Sequence, residues 1–441
     1  MPPLVLFSLV ARRKLRQRST QAAATCSTAL NDAMNAIKDR LVQLFPDASI
    51  AIVQDVYVSY RVRPGEYILL VELSQAAARD GLYVVKLGDE DRLRREFDGW
   101  TACRPDGLRH DLVLTTLEAH RDKADRFIGL VYADADQIIG VDQTLSLEQA
   151  MLECIRFGVP TPESIADTLF LLYERLGLLL YRNSYTDDPL NPTLPFSPER
   201  LDRKLIENLD HLKPGSGPAF DMRANANTAA DTTGLPDAML PPNLFAMEVL
   251  DHPGDLVPRL RRGYGHGDLH GRNVLVGRIG DRVLWPAVFD YGDMGTDNLI
   301  GWDFVKLETE FKVRAYPELF EARVLPYAAE VIRTERDLHI KTEACRSANR
   351  WPNAPEDDTP LGRYRWLMLT IRRHAANHLG LYCGRSREWL AEYYFLLAIY
   401  GLNGIRFENL TEVQRLAGYL SAGVAAARYV YDRTPTGGDN P

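Results

Sequence analysis

The stretch Tyr264-Gly265-His266-Gly267-Asp268-Leu269-His270-Gly271-Arg272-Asn273-Val274-Leu275-Val276 constrains this chain more than any other. It sets a carboxylate and a carboxamide five positions apart on one short loop and follows them at once with an apolar strand. A second acidic punctuation, Val288-Phe289-Asp290-Tyr291-Gly292, again runs from apolar residues into Asp and then Gly. Strands over 273–276 and 283–289, paired as a hairpin, would turn the Asp268–Asn273 loop back and put Asn273 beside Asp290. The intervening Gly277-Arg278-Ile279-Gly280-Asp281-Arg282 is suitable turn material.

At 441 residues the chain can bury two or three packed units, and its 46% hydrophobic and 25% charged content is that of a globular protein. A net charge of −8 argues against broad nucleic-acid binding, which needs a basic surface. The five cysteines, Cys26, Cys103, Cys154, Cys345 and Cys383, form no Cys-x-x-Cys pair, which points to a reducing cytoplasm without disulfides or structural zinc. No apolar run reaches membrane-spanning length: Leu169–Leu180 contains Glu174 and Arg175. An apolar Met1–Val10 followed by a basic 11–18 reverses the order of a signal peptide, so residues 1–46 are expected to be a leader ending in an amphipathic helix over about 28–45.

The two acidic segments resemble the catalytic loop and the metal-binding Asp-Phe-Gly of the protein-kinase-like phosphotransferases. The His-Gly-Asp spelling is similar to their aminoglycoside phosphotransferase and choline kinase branch, which mostly phosphorylates small molecules. The resemblance implies an α+β, bilobal protein-kinase-like fold with a small antiparallel β-rich N-lobe over 47–135 and a larger helical C-lobe over 136–434. It implies ATP and magnesium (Mg2+) as cofactors and a small-molecule hydroxyl as acceptor, with Asp268 facing that hydroxyl and Asn273 and Asp290 holding the metal. It also implies that His266 and Asp303 support the loop, Asp303 by hydrogen bonding back from a helix start.

Upstream, five strand-like segments (50–59, 67–73, 82–87, 112–118 and 127–132) surround one polar helix over 89–100, the small-lobe pattern of that family. By the resemblance, Lys86 in Tyr83-Val84-Val85-Lys86-Leu87 contacts nucleotide phosphates and pairs with Glu96, or failing that Glu90. The phosphate-covering loop, Ser59 to Tyr67, has one glycine where protein kinases have three, and Arg61 and Arg63 are candidates to supply charge in its place. Tyr132 and Ala133 fall at the hinge position, where backbone would meet adenine. Ser146-Leu147-Glu148-Gln149 reads as a capping box, and Thr161-Pro162-Glu163 opens a helix running to about Tyr181.

Residues 184–258 are Pro-rich and then small-residue-rich and read as an insertion, either a linker or a lid or acceptor-binding element, while 435–441 reads as a disordered tail. From Phe304 onward the pattern is helical: 304–314, 317–333, 361–379, 387–400 and 410–431. The short 292–303 segment leaves no room for a long phosphorylatable activation loop. A kinase-like regulatory module that binds nucleotide or a protein partner, resembling the kinase-like ternary-complex-associated domains of bacterial conflict systems, is the alternative.

Overall fold

The computed structural model describes residues 35, 37–46, 48–55, 66–74, 81–103, 113, 116–133, 141–182, 239–320, 324–381, 388–405, 407 and 409–433. Arg61 and Arg63, residues 1–34, most of the insertion (183–238) and the tail lie outside them. The chain divides into two compact units. One is built from the chain up to Arg94 with Glu118–Ala133, the other from Arg95–Leu117 and the chain from Asp134 onward.

The first unit is an antiparallel sheet in the order β1-β2-β3-β5-β4. Its strands are β1 (Ser49–Asp55), β2 (Tyr67–Ser74), β3 (Gly81–Leu87), β4 (Thr116–Arg121) and β5 (Phe127–Ala133). The fourth strand is described from Thr116 to Arg121, and its expected start at 112 lies outside the described residues. Helix α1 (37–44) lays Ile37, Leu41 and Leu44 on the sheet beside Leu69, Val71, Val85 and Val131. These i, i+4, i+7 positions form one apolar stripe. Arg40 ties the helix down by donating to the carbonyls of Gly88 and Ile128, both at 2.8 Å. The leader helix is therefore part of this unit's core rather than a separate preface.

Helix α2 (Glu90–Cys103) leads into the second unit, whose next helices are α3 (Leu147–Phe157) and α4 (Pro162–Leu176). Both are capped as their sequences dictate. Ser146 Oγ accepts from Gln149 N at 3.1 Å, and Thr161 Oγ1 accepts from Ser164 N at 3.4 Å with Pro162 opening the helix. A π-helical segment, Gly177–Tyr181, extends α4. Helix α5 (Pro242–Asp251) follows, with Phe245, Ala246 and Val249 buried. Phe245 meets Phe395 and Tyr429 edge-on, so the end of the segment read as insertion is core. The composition had concealed this because the small residues stop just before Pro242.

Next come β7 (Arg262–Gly265), β8 (Val274–Ile279), β9 (Arg282–Val288) and β10 (Gly295–Leu299). β8 and β9 form the expected hairpin, closed by Gly280 and Asp281 with Gly280 at φ +58, the requirement of a two-residue turn that starts with Gly. A short strand, β6 (Gln143–Ser146), adds to β8, and β7 pairs with β10. Neither β6 nor the β7–β10 pair was anticipated, because four or five polar and glycine residues carry no period-two signal.

Helix α6 (Ile300–Leu319) is the axis of this unit. Every residue from Ile300 to Tyr316 is buried, charged ones included. It runs through Pro317, where a new helix was expected. Pro317 stands in the last turn, so its missing N–H costs one hydrogen bond near a terminus. Around it pack α7 (Val324–Ala348), α8 (Pro360–Ala375), α9 (Trp389–Gly404) and α10 (Glu412–Arg433).

The charges on α6 are satisfied by these neighbours. Glu308 accepts from Arg372 Nη2 at 2.7 Å and from Tyr393 Oη at 2.6 Å. Lys312 lies 2.5 Å from Glu308 and 2.8 Å from Glu335. Burial would raise the Glu308 carboxyl, but Arg372 and Lys312 outweigh it and bring it from 4.5 down to about 2. A carboxyl depressed on folding contributes stability that is fully present above its unfolded value and lost as pH falls through its folded one. Urea midpoints of the protein should therefore fall between about pH 4.5 and 2. Glu308→Gln should destabilise by roughly 3–5 kcal/mol, because it strands the Arg372 charge, and should flatten that acid dependence. An unchanged acid slope in the variant contradicts this assignment.

Candidate functional site

The loop between β7 and β8 is fixed from below by the first turn of α6. Leu299 gives α6 no side-chain cap, and the Asp303 carboxylate in its first turn accepts from two loop amides. His266 N donates to Oδ2 at 2.9 Å and Gly267 N to Oδ1 at 2.8 Å. Tyr181 Oη adds a third donor at 3.0 Å. Burial raises the Asp303 carboxyl, partly offset by His266 and these donors. Buried amides need acceptors, and this one carboxylate serves two of them in consecutive residues.

His266 is fully buried, and its ring spans the site. Nε2 lies 3.1 Å from Phe289 O, and Nδ1 accepts from Asp268 N at 3.2 Å. The tautomer with hydrogen on Nε2 satisfies both contacts. Gly267 has φ +76, and a Cβ there would strike Asp293 O and come within 2.8 Å of Asn298 Nδ2. The glycine between the histidine and the aspartate is thus a steric requirement of this loop.

Asp268 follows, with its side chain 30% exposed. Lys306, one helical turn beyond Asp303, places its ammonium 2.8 Å from Asp268 Oδ1 and donates to Gly267 O at 2.6 Å. His270 Nε2 lies 3.7 Å from the other oxygen, Oδ2. Burial would raise the Asp268 carboxyl. Lys306, with a smaller effect from His270, outweighs it and holds the group below the ordinary carboxylate range, in a setting that water still partly screens. Burial, with Arg272 nearby, brings His270 down to about 4, so its imidazole is neutral near pH 7.

The backbone then closes a single 3-10 turn over Gly271–Asn273, with Asn273 N donating to His270 O at 2.9 Å. The Asn273 side chain folds back, Nδ2 donating to Asp268 O at 2.9 Å, and this turns Oδ1 the other way. Phe289 N donates to Asn273 O at 3.1 Å, so the hairpin brings Asn273 next to the residue preceding Asp290. Asp290 holds φ +63, a left-handed conformation uncommon outside glycine. Such backbone cost is tolerated where neighbours impose it. The neighbours are visible: Glu96 Oε1 accepts from Tyr291 N at 3.1 Å, and Tyr291 Oη donates to Val288 O at 2.7 Å.

A carboxylate and a carboxamide oxygen are hard donors suited to magnesium, which keeps remaining positions for water and phosphate oxygen. Among the described residues no cluster of three or more His, Cys, Asp or Glu could hold a metal ion.

The other expected residues fall as follows. Lys86 is buried on β3 and lies 3.3 Å from Glu66 of its own unit. Glu90 pairs with Arg94 at 2.7 Å on the surface of α2. Tyr132 is buried and Ala133 ends β5. Lys306 escaped sequence reading. The available signal was its i+3 spacing from Asp303, which puts both on one face of a helix start.

No family model matches the chain, and no curated protein does. Among solved structures it is similar to the GDP and kanamycin complex of APH(2")-IIia, at 15% identity and a TM-score of 0.36, over 78% of this chain and 99% of that one. It is also similar to the GDP complex of wild-type aminoglycoside 2'-phosphotransferase-IIIa, at 15% identity and a TM-score of 0.36, over 78% and 98% of the two chains. Likeness of this degree carries no functional argument. No helix among the described residues is long and apolar enough to cross a membrane.

Gly267→Ala should lower stability by about 1–2 kcal/mol for the left-handed backbone alone, and by more for the collision with Asp293 O. Chemical denaturation of the variant checks this. A midpoint equal to that of the natural protein would show that the loop does not hold this conformation.

Proposed function

We propose that the chain is a phosphotransferase that moves the terminal phosphoryl group of ATP, in the presence of magnesium, to a hydroxyl of a small molecule. The observation that carries this reading is the meeting of loop and hairpin. Asn273 is bonded to Asp268 through its side chain and to Phe289 through its carbonyl, so Asp268, Asn273 and Asp290 are gathered at one end of β8 and β9. Phosphoryl transfer asks a protein mainly for positioning and charge neutralisation, and this set divides those tasks. Asn273 and Asp290 would hold magnesium, which when bound neutralises charge on the phosphates. Asp268 would orient the acceptor hydroxyl, and Lys86 would reach the nucleotide phosphates.

The short segment from Gly292 to Asp303, which runs through β10 straight into α6, supports a small-molecule acceptor over regulation by an activation loop. A regulatory module that binds nucleotide or a protein without turnover is the competing outcome.

The test is transfer of label from γ-labelled ATP or GTP, with magnesium, to a panel of amino-sugars, choline-like alcohols, sugars, nucleosides and generic protein. Label on one small-molecule acceptor is expected. Nucleotide binding without transfer to any acceptor overturns the enzymatic reading. Asp290→Ala should lose metal-dependent nucleotide binding in calorimetry, since the remaining Asn273 amide is a weak ligand for a hard cation. Asp268→Ala should keep that binding and lose transfer by roughly 10²-fold or more. Equal loss of binding in both variants contradicts the assigned roles.

A further inference from the structure

The ammonium of Lys306 is out of place for a structural lysine. It is 6% exposed, comes from α6 rather than from the loop, and is spent on the loop's functional end, 2.6 Å from Gly267 O and 2.8 Å from Asp268 Oδ1. The Tyr400 ring stands 5.6 Å from the same nitrogen, and Tyr400 Oη donates to Glu310 Oε1 at 3.2 Å, which fixes that ring beside the ammonium. The two ends of one helical turn thus grip the loop in opposite senses. Asp303 accepts from its amides, and Lys306 donates to its carbonyl and carboxylate.

On the phosphotransferase reading above, we propose that Lys306 is a positioning residue: it binds Asp268 Oδ1 and leaves Oδ2 as the oxygen that orients the acceptor hydroxyl. The polar groups near Oδ2 fit this division. Asn273 Nδ2 donates to it at 3.4 Å and His270 Nε2 stands 3.7 Å away, long contacts that leave a carboxylate oxygen capacity for a further donor, and the Asp268 side chain is 30% exposed. The acceptor O–H donates to Oδ2, and its oxygen bonds the terminal phosphorus as the bond to the bridging oxygen breaks. Nucleoside diphosphate leaves, and the proton passes by way of Asp268 to solvent. Without the ammonium the carboxylate keeps only the long contacts at Oδ2, and a misplacement of about 1 Å costs on the order of 10²-fold in rate.

The experiment measures single-turnover transfer, thermal midpoint and Mg-nucleotide affinity for Lys306→Met, Lys306→Arg, Asp268→Asn and the double variant Asp268→Asn/Lys306→Met. Expected are a loss of roughly 10²-fold in transfer for Lys306→Met with nucleotide affinity unchanged, partial recovery in Lys306→Arg, and no further loss when Lys306→Met is added to Asp268→Asn. A lysine that merely stabilises the fold would cost the same in both backgrounds. Equal losses in the two backgrounds, or full transfer by Lys306→Met, overturn the proposal and leave the phosphotransferase reading standing. Absence of transfer in the natural protein overturns both. Should Lys306→Met fail to fold, Lys306→Gln in the same two backgrounds makes the same comparison.

Discussion

Two backbone amides, those of His266 and Gly267, point into the interior at the turn that precedes Asp268, and one carboxylate, that of Asp303, accepts both. Remove that carboxylate and the turn has two buried donors with no acceptor, at a cost of about 1–3 kcal/mol each. The arrangement explains several other choices at once. Gly267 must be glycine because the turn demands φ +76 against Asp293 O. His266 must be a ring with a nitrogen at each end because it bridges Asp268 N and Phe289 O.

The carboxylate can serve in this way only if α6 stays still. That helix carries Asp303, Lys306, Glu308, Glu310, Lys312 and Arg314 into the interior, a placement that isolated charges would not tolerate. Two neutralising clusters surround it. One joins Glu308 and Lys312 to Arg372 and Glu335. The other joins Glu310 and Arg314 to Arg272 and Glu148. Arg272 belongs to the site loop, so the second cluster ties that loop to α6 once more, beyond Asp303 and Lys306, at Glu310 two helical turns along from Asp303. Buried ion pairs add little net stability over apolar packing. Their effect here is geometric, since each pair fixes a rotation and height of α6 relative to α3, α7 or α8.

Much of the site could be read from the sequence because its logic is local. The five-residue spacing of Asp268 and Asn273, the apolar run after it and the Gly280-Asp281 turn all act within a hairpin. The caps at Ser146 and Thr161 act within three residues. What escaped was non-local. Lys306 meets Asp268 across 38 positions, and Glu96 meets Tyr291 across 195. Glu96 accepts from the backbone just after Asp290, a contact that no pattern along α2 announces. The helical pattern over 304–314 says nothing of where its charges go. In the fold those charges find partners on other helices, which no pattern along one segment reveals. The short strands β6, β7 and β10 form because long-range partners are present, with little propensity of their own.

The central claim is that Asn273 and Asp290 form one metal site beside Asp268. The measurement that tests it most directly is anomalous diffraction from crystals grown with manganese, as a stand-in for magnesium, and a non-hydrolysable triphosphate nucleotide. The account predicts an anomalous peak about 2.1 Å from both an Asp290 carboxylate oxygen and Asn273 Oδ1, with phosphate oxygens completing its shell. A peak ligated by other residues, or bound nucleotide with no metal at Asp290, would contradict it.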